Sequence, residues 1–286
     1  MNPADLNTPI QPNFCPGCGN FGIMAAFKAA AAKEGWDSSN TALTAGIGCH
    51  GHILNFTHIT GFEGLHGRSV PLATGIKLAN KDLNVFAFCG DGDCLGEGGD
   101  HYIHVCRRNH DITIILHDNA IYGLTTGQTS PASPHGFVSK STPDGNLDWP
   151  FNPLILAIGA GATFVARGFS NDLQQLTELI IKANNHRGIA IVDILQPCIT
   201  FNSKAFPLNF YQENTYYLPE SYDSTDKEAA FAKAQEWGEK KIGLGVFYEE
   251  TKQPSYEAQI PQIAEQPLVS SEPEKRDISA EFIKYQ

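Results

Sequence analysis

Short, almost wholly apolar runs recur along the first 205 residues, with longer stretches of helical patterning between them. The apolar runs predict strands at 41–47, 84–89, 112–118, 162–166 and 189–195. The intervening stretches predict helices at 20–34, 69–80, 98–109, 152–160 and 172–185. Because strands that are apolar on both faces must be covered on both faces, the alternation predicts an α/β fold with a doubly wound, mostly parallel sheet.

The pattern changes after Phe206, where the chain becomes polar. One amphipathic helix is predicted over 228–241, and the stretch 251–276 is rich in Pro, Glu and Gln. Such a composition favours an extended arm over a second hydrophobic core. We therefore expect a domain over 1–205 and a polar C-terminal extension over 206–286.

Composition narrows the class of protein. The 286 residues are 42% hydrophobic, which is ordinary for a globular protein, and 18% charged, which is somewhat low. The sequence contains no run of eighteen apolar residues and no signal-like N-terminus, so we expect a cytoplasmic protein without membrane contact. A formal net charge of −11 argues against nucleic acid as a partner.

Two predicted strands end in small oxygen ligands. Gly90, Asp91, Gly92 and Asp93 follow the second strand, and Asn119 follows the third. The glycines allow a ligand to approach the backbone and leave N–H groups free for phosphate oxygens. A carboxylate, an amide oxygen and phosphate oxygens together suit Mg²⁺. A Gly-Asp-Gly turn alone is usually only a tight turn, but its pairing with Asn119 across a strand–helix–strand unit favours a metal and phosphate site.

Seven cysteines without a secretory signal indicate metal or redox chemistry rather than disulfides. Cys15 and Cys18 form a CPGC motif, while Cys49 and Cys198 follow predicted strands. Four thiolates can bind a structural Zn²⁺ or an iron–sulfur cluster, and their spacing does not choose between the two. Composition alone slightly favours zinc. The remaining thiols are predicted to be unligated: Cys89, Cys94 and Cys106.

The paired Gly-Asp-Gly and asparagine resemble the thiamine diphosphate-binding motif. The segments HGRSVPLATGIKLAN, GDGDCLGEGGDHYIHVCRRN and DNAIYGLTTGQTSP resemble the β subunit of 2-oxoacid:ferredoxin oxidoreductases. This resemblance runs from about Pro12 to Asn202. It implies a sheet of the thiamine diphosphate-binding type and a CoA-dependent oxidative decarboxylation of a 2-oxoacid. Electrons would pass through a 4Fe–4S cluster to ferredoxin.

The resemblance also implies roles for individual residues. Mg²⁺ would be bound by the side chains of Asp91 and Asn119 and by the carbonyl of Ile121. Contacts to thiamine diphosphate are implied for Ile47, Gly48, Cys49, His50, His66, Gly90, Gly92, Asp93, Gly123 and Leu124. The 4Fe–4S cluster would be held by Cys15, Cys18, Cys49 and Cys198.

Substrate contacts are the third set of implied roles. His66 is expected to act at the cofactor, although a lone histidine is more often structural. His52 and Thr126 are expected to face the substrate side chain. His52 could bind the distal carboxylate of 2-oxoglutarate, so we expect 2-oxoglutarate to be favoured over pyruvate. Equally, His52 could be only a residue at the start of a helix.

Several partners follow from the same resemblance. The glutamate that activates thiamine lies, in this family, on the pyrimidine domain of an α (or fused γα) subunit. We therefore expect the chain to be inactive alone, to form an αβ or (αβ)₂ assembly with CoA bound mainly by the partner, and to pack its extension on that partner. The motifs fix neither the direction of the reaction nor the electron carrier, ferredoxin or flavodoxin.

Two other interpretations of the protein's function stay open. One is a non-redox thiamine diphosphate-dependent decarboxylase or synthase subunit with a structural zinc. The other is a non-catalytic scaffold subunit stabilised by zinc.

Overall fold

A computed structural model describes residues 1–271 and 277–284. Its centre is an eight-stranded sheet in the order β2-β1-β3-β4-β6-β5-β8-β7. Neighbouring strands run parallel, except that β8 is antiparallel to β5. The strands are β1 (Thr41–Ala45), β2 (Gly61–Glu63), β3 (Asn84–Gly90), β4 (Thr113–Asp118), β5 (Phe164–Phe169), β6 (Ala190–Leu195), β7 (Thr215–Tyr217) and β8 (Ile242–Glu249). The predicted doubly wound, mostly parallel α/β fold is thus confirmed.

Helices connect these strands, and several shorter helical turns lie between them. The α-helices are α1 (Asn20–Glu34), α2 (Ile53–Phe56), α3 (Ser69–Ala79), α4 (Gly99–Arg108), α5 (Pro153–Ala160), α6 (Leu173–Asn185), α7 (Leu208–Asn214), α8 (Lys227–Ala234), α9 (Pro261–Ala264) and α10 (Ser279–Ile283). The 3₁₀ turns are Pro3–Leu6, Cys49–His52, Glu257–Gln259 and Leu268–Ser270. A π-helix covers Gly92–Glu97, directly after β3. None of the described helices is long and apolar enough to cross a bilayer.

The sheet has a hydrophobic core on each face because successive side chains of a strand point to opposite sides. In β3, Phe86 and Phe88 pack with α1 and α6 on one face. Val85 and Cys89 pack with α3, α4 and α5 on the other face. This two-sided burial explains why the central strands are apolar at nearly every position.

The five predicted strands and five predicted helices are all present, with boundaries that differ by a few residues. Among these ten elements the largest difference is at β5, which runs from Phe164 to Phe169 although it is predicted over 162–166. Gly161 ends α5 in a left-handed conformation (φ 97°), and the N–H of Ala162 still bonds to the carbonyl of Ala157. The strand can begin only after this helix cap.

The polar extension is more structured than its composition predicts. Strand β8 pairs with β5, and Tyr211, Ile242 and Leu244 form a third core cluster with residues of β5 and β6. The helix predicted over 228–241 stops at Ala234. Two glycines interrupt the apolar run of β8, so the sequence pattern does not predict this strand. The part of the expected arm at residues 272–276 and 285–286 lies outside the described residues. The division at residue 205 and packing on a partner remain predictions.

The order of the strands creates a crevice at one edge of the sheet. From β1 the chain moves outward to β2 and then returns to β3 on the other side of β1. In open parallel sheets, ligands bind at such a reversal, beyond the carboxyl ends of the strands. Segments that follow β1, β3 and β4 meet there.

Candidate active site

One cavity at the carboxyl ends of β1, β3 and β4 collects every residue expected to contact thiamine diphosphate or Mg²⁺. Its lining includes Ile47, Gly48, Cys49, His50, His66, Gly90, Asp91, Gly92, Asp93, Asn119, Ile121, Gly123 and Leu124. Four further residues line it: His117, Tyr122, Thr125 and Gln196. Segments far apart in the sequence are therefore brought together by the parallel sheet.

Asp91 lies at the start of the π-helix with its side chain buried. Burial raises the pKa of its carboxyl to about 7, although the Ser130 hydroxyl and the backbone N–H groups of Gly92 and Asn119 oppose this shift. Asn119 follows β4, and its side-chain oxygen accepts a hydrogen bond from the N–H of Ile121 at 3.0 Å. A buried carboxylate beside an amide oxygen would gain from a cation.

Asp93 organises the opposite side of the cavity. Its Oδ1 atom accepts hydrogen bonds from His66 Nδ1 at 2.8 Å and from the N–H of Gly67 at 2.6 Å, and His50 Nε2 lies 3.4 Å from Oδ2. Burial alone would raise the pKa of Asp93, but these donors, His50 foremost, hold it below its ordinary value. Because the ionised carboxylate only accepts, Nδ1 of His66 carries a proton in this contact, so in the neutral form of His66 the acceptor nitrogen is Nε2.

Two glycines leave no room for a side chain around this network. A Cβ atom on Gly46 would lie 2.2 Å from the carboxylate oxygens of Asp93. A Cβ atom on Gly92 would lie 2.2 Å from the ring of Tyr122, whose hydroxyl donates to the Gly92 carbonyl at 3.2 Å. The glycines therefore permit the close packing of the turn.

The polar atoms of the cavity fit an anionic cofactor that brings its own cation. Within the described parts of the chain, His117 Nε2 is buried without a hydrogen-bond partner, and His50 Nε2 and Asp93 Oδ2 have only their long contact of 3.4 Å with each other. Such atoms are costly unless a ligand or water satisfies them. The residues lining the cavity include neither Lys nor Arg. A diphosphate in this position would need its charge balanced by a metal ion.

A second cavity, of about 220 Å³, collects all four cysteines expected to hold a cluster. Cys15 and Cys18 are joined by a backbone hydrogen bond from the Cys18 N–H to the Cys15 carbonyl (2.9 Å). Cys49 starts the 3₁₀ turn after β1, and Cys198 follows β6. All four thiols are free. Over residues 1–271 and 277–284, no three His, Cys, Asp or Glu side chains are grouped tightly enough for a single metal ion.

The cysteines influence one another electrostatically. Burial, and then the neighbouring thiols of Cys18, Cys198 and Cys15, raise the pKa of Cys49 to about 11. Burial likewise raises the pKa of Cys18 and Cys198. Four thiols in one pocket cannot all ionise unless positive charge compensates them, and bound iron or zinc would supply that charge.

The two cavities share a wall. Five residues line both of them: Cys49, Asn119, Gly123, Leu124 and Gln196. A group bound at the cysteines would therefore lie next to a group bound in the first cavity.

The two residues expected to face the substrate are placed differently. His52 lines the cysteine cavity, and its ring stacks on Phe56 with the ring centres 6.5 Å apart. Thr126 lies in a tight turn with a left-handed backbone (φ 76°) and an exposed side chain. Thr126 lines neither of the two cavities, whereas Thr125 lines the first. The turn explains the difference, since the N–H of Thr126 bonds back to the carbonyl of Gly123 (3.1 Å).

Sequence reasoning missed several residues that support the site. Ser130 donates to Asp91, and Ser133 links Ser130 to the carbonyl of Ala120 through hydrogen bonds of 2.8 and 2.7 Å. The buried side chain of Asn202 donates to the carbonyl of Asn119 at 2.7 Å. The segment SPASP at residues 130–134 is the local signal for the two serines, whereas nothing local marks Asn202.

Comparisons with known proteins agree with this geometry. The family model described as thiamine pyrophosphate enzyme, C-terminal TPP binding domain, matches residues 46–194. The model for the C-terminal part of the pyruvate ferredoxin oxidoreductase beta subunit matches residues 198–265.

Individual relatives narrow the class. The 2-oxoacid:ferredoxin oxidoreductase 1, subunit beta, of Aeropyrum pernix is 40% identical, and the alignment covers 97% of this chain and 90% of the relative. The 2-oxoglutarate oxidoreductase subunit KorB of Mycobacterium tuberculosis is 46% identical over 71% of this chain and 54% of its own length. A solved 2-oxoglutarate:ferredoxin oxidoreductase from Magnetococcus marinus superposes with a TM-score of 0.90 at 35% identity, covering 100% of this chain and 96% of the matched chain.

The fold, the cavity and the family model together define a protein with an α/β fold and a thiamine diphosphate-binding domain. More narrowly, the chain belongs to the β subunits of the 2-oxoacid:ferredoxin oxidoreductases. It is an oxidoreductase subunit, and a β subunit implies an α partner. This assignment excludes a scaffold and a non-redox enzyme as its class.

Proposed function

We propose that the chain is the cofactor-binding half of an enzyme that oxidises a 2-oxoacid, 2-oxoglutarate before pyruvate, to an acyl-CoA and CO₂. The observation that carries the proposal is the wall shared by the two cavities. Electrons leaving a substrate in the first cavity would have a short path to a carrier at the cysteines. In the opposite direction, the same path would serve reductive carboxylation.

The first cavity would hold thiamine diphosphate and Mg²⁺. Asp91, Asn119 and the carbonyl of Ile121 would bind the metal, since hard oxygen ligands suit Mg²⁺. Backbone groups at Gly90 and Gly92 would lie along the diphosphate. Bound thiamine diphosphate would supply the electron sink that permits loss of CO₂. His66 would accept or return a proton at Nε2, because Asp93 keeps the proton on Nδ1.

The second cavity would hold a 4Fe–4S cluster through Cys15, Cys18, Cys49 and Cys198. In a mononuclear zinc site, four sulfurs meet around one ion at about 2.3 Å from it. In a cubane each cysteine binds a different iron, so the sulfurs stand further apart around a larger volume. The four cysteines line one cavity of about 220 Å³, and within residues 1–271 and 277–284 no three of the ligand side chains are grouped tightly enough for a single metal ion, which supports the cluster over zinc.

Substrate selection is proposed for His52, which lies beside Cys49 at the cysteine cavity. A histidine there could donate a hydrogen bond to the distal carboxylate of 2-oxoglutarate and carry a charge at lower pH. Thr126 is a weaker candidate because it is exposed and outside both cavities. A movement of its turn in the assembled enzyme would be needed for contact.

The partner would complete the site. An α (or fused γα) subunit would bring the pyrimidine domain with its glutamate and most of the CoA site, in an αβ or (αβ)₂ assembly. The solved relative from Magnetococcus marinus, with 2-oxoglutarate, coenzyme A and succinyl-CoA bound, supports this choice of substrates. Ferredoxin would take the electrons.

The test is to co-express the chain with its partner without oxygen, measure iron and zinc, and record electron paramagnetic resonance (EPR) spectra. We expect four irons per chain and a reduced-cluster signal after 2-oxoglutarate and CoA are added with thiamine diphosphate and Mg²⁺. Glutarate, which lacks the 2-oxo group, should give no signal. Zinc in place of iron, or an iron cluster that the substrate never reduces, would overturn the proposal.

A further inference from the structure

Gln196 stands between the two cavities and contacts one of the cysteines. Its side chain is buried and lines both cavities. The Nε2 atom donates a hydrogen bond to Cys18 Sγ at 3.4 Å. Bound to iron, Cys18 would be a thiolate, which accepts hydrogen bonds but cannot donate them, so the NH₂ end of the amide would face the sulfur.

Rigid surroundings hold this contact in place. Gln196 directly follows β6, and its backbone N–H bonds to the carbonyl of Asp118 at 2.8 Å. On the other side, the Gly19 N–H bonds to the carbonyl of Pro197 at 3.3 Å, which ties the Cys18 segment to the same strand end. A Cβ atom on Gly19 would lie 2.7 Å from Gln196 Cγ, so the two segments touch. The amide therefore has little freedom to leave the sulfur.

A hydrogen bond to a cluster sulfur affects the two redox states unequally. Reduction adds negative charge to the cluster and its sulfur ligands, so an N–H donor stabilises the reduced state more than the oxidised state. Hydrogen bonds to the sulfurs are among the features that set cluster potentials. Losing such a bond makes the cluster harder to reduce.

We propose that Gln196 is a positioning residue that raises the reduction potential of the cluster by donating to Cys18. This inference rests on the proposed function, because it requires an iron–sulfur cluster at the four cysteines. Gln196 thereby eases electron transfer from a substrate in the first cavity. Gln196 lies in the wall between the first cavity, where the substrate would give up electrons, and the cysteine cavity, where the cluster would accept them.

The experiment is an EPR-monitored redox titration of the anaerobically purified complex, with dithionite and mediators. Gln196→Met keeps the length of the side chain and removes the N–H. We expect its cluster to be about tenfold harder to reduce at equilibrium, which is about 59 mV more negative for a one-electron couple. Gln174→Met, an identical change on the exposed face of α6, should leave the potential unchanged.

A second variant covers the case in which Gln196→Met binds no iron. Gln196→Asn keeps an amide but is one carbon shorter, which withdraws its NH₂ from Cys18 and should lower the potential in the same direction. A wild-type potential in an iron-loaded Gln196 variant would overturn the role of Gln196 and leave the proposed function standing. Zinc instead of iron in the wild type would overturn both.

Discussion

Gly123 lies against Cys49: a Cβ atom added to Gly123 would stand 3.6 Å from Cys49 Sγ. The same atom would lie 3.9 Å from Cys198 Sγ and 3.8 Å from Asn119 Nδ2. Gly123 therefore forms a thin part of the wall between the cavities, and a side chain there would grow into the space of the cysteines.

The first prediction is a size series at Gly123. Ala should be accepted, because its Cβ makes only ordinary van der Waals contacts. Val should exclude the cluster, since its methyl groups would reach the sulfurs. Iron content of anaerobically purified variants is the measurement. Equal, full iron loading in Gly123→Val would show that the cluster does not use this space.

The second prediction concerns the metal at the diphosphate. Asp91→Ala removes the carboxylate that is expected to bind Mg²⁺ together with Asn119, and we expect affinity for thiamine diphosphate with Mg²⁺ to fall by more than about a hundredfold, with iron retained. Calorimetric titration of the cofactor measures this. Asp100→Ala, on the exposed part of α4, is the control and should bind as the wild type does. Unchanged affinity in Asp91→Ala would remove Asp91 from the metal site.

The third prediction tests the four-cysteine set. Cys198→Ser replaces a thiolate by a poorer iron ligand, so iron content should fall and reduction of ferredoxin by 2-oxoglutarate should be lost. Cys106→Ala is the matched control, because Cys106 is buried in the core between sheet and helices. The Cys106→Ala variant should keep the iron content of the wild type. Full iron and normal turnover in Cys198→Ser would contradict the ligand set.

The fourth prediction concerns substrate choice. His52→Ile should raise the apparent KM for 2-oxoglutarate far more than for pyruvate. Losing a charged hydrogen bond from a desolvated site costs roughly 1.5–3 kcal/mol, which is about ten- to over a hundredfold. Steady-state kinetics of ferredoxin reduction with both acids measure the ratio. The control is His58→Ile, at an exposed histidine, which should leave the ratio of the two KM values unaltered. Equal effects of His52→Ile on both acids would show that His52 does not bind the distal carboxylate.

The fifth prediction concerns the anchor of the C-terminal segment. Buried Glu257 accepts hydrogen bonds from His110 Nδ1 at 2.7 Å and from the Asp111 N–H at 3.0 Å. Burial alone would raise its pKa, but these donors hold it below the ordinary value of 4.5. A lowered folded-state pKa stabilises the fold above the unfolded pKa, and this stability is lost as the pH falls through the folded value.

Glu257→Gln should therefore lower the free energy of unfolding by about 1–3 kcal/mol near neutral pH. The difference from the wild type should shrink as the solution is acidified below about pH 4.5. Denaturant unfolding of the full-length chain over this range is the measurement, with Glu265→Gln at an exposed position as control. A difference that does not depend on pH would mean that the charge of Glu257 is unimportant.

The sequence by itself determined the central sheet. Strands β3 and β4 are apolar at almost every position, and helix α1 begins and ends where its patterning predicts, at Asn20 and Glu34. These signals are local, because a strand that is buried on both faces needs an apolar residue at nearly every position. The glycines and Asp91 after β3 also pointed to a ligand site without any knowledge of the fold.

Only the tertiary structure decided what surrounds those motifs. Strand β8 carries too little apolar patterning to be recognised, and it forms because the edge of β5 offers it backbone partners. Ser130 and Gln196 reach the site from 39 residues beyond Asp91 and 178 residues beyond Cys18, through contacts that no local pattern encodes. Parallel strands bring the residues after their carboxyl ends to one edge of the sheet, and strand order decides which of them become neighbours.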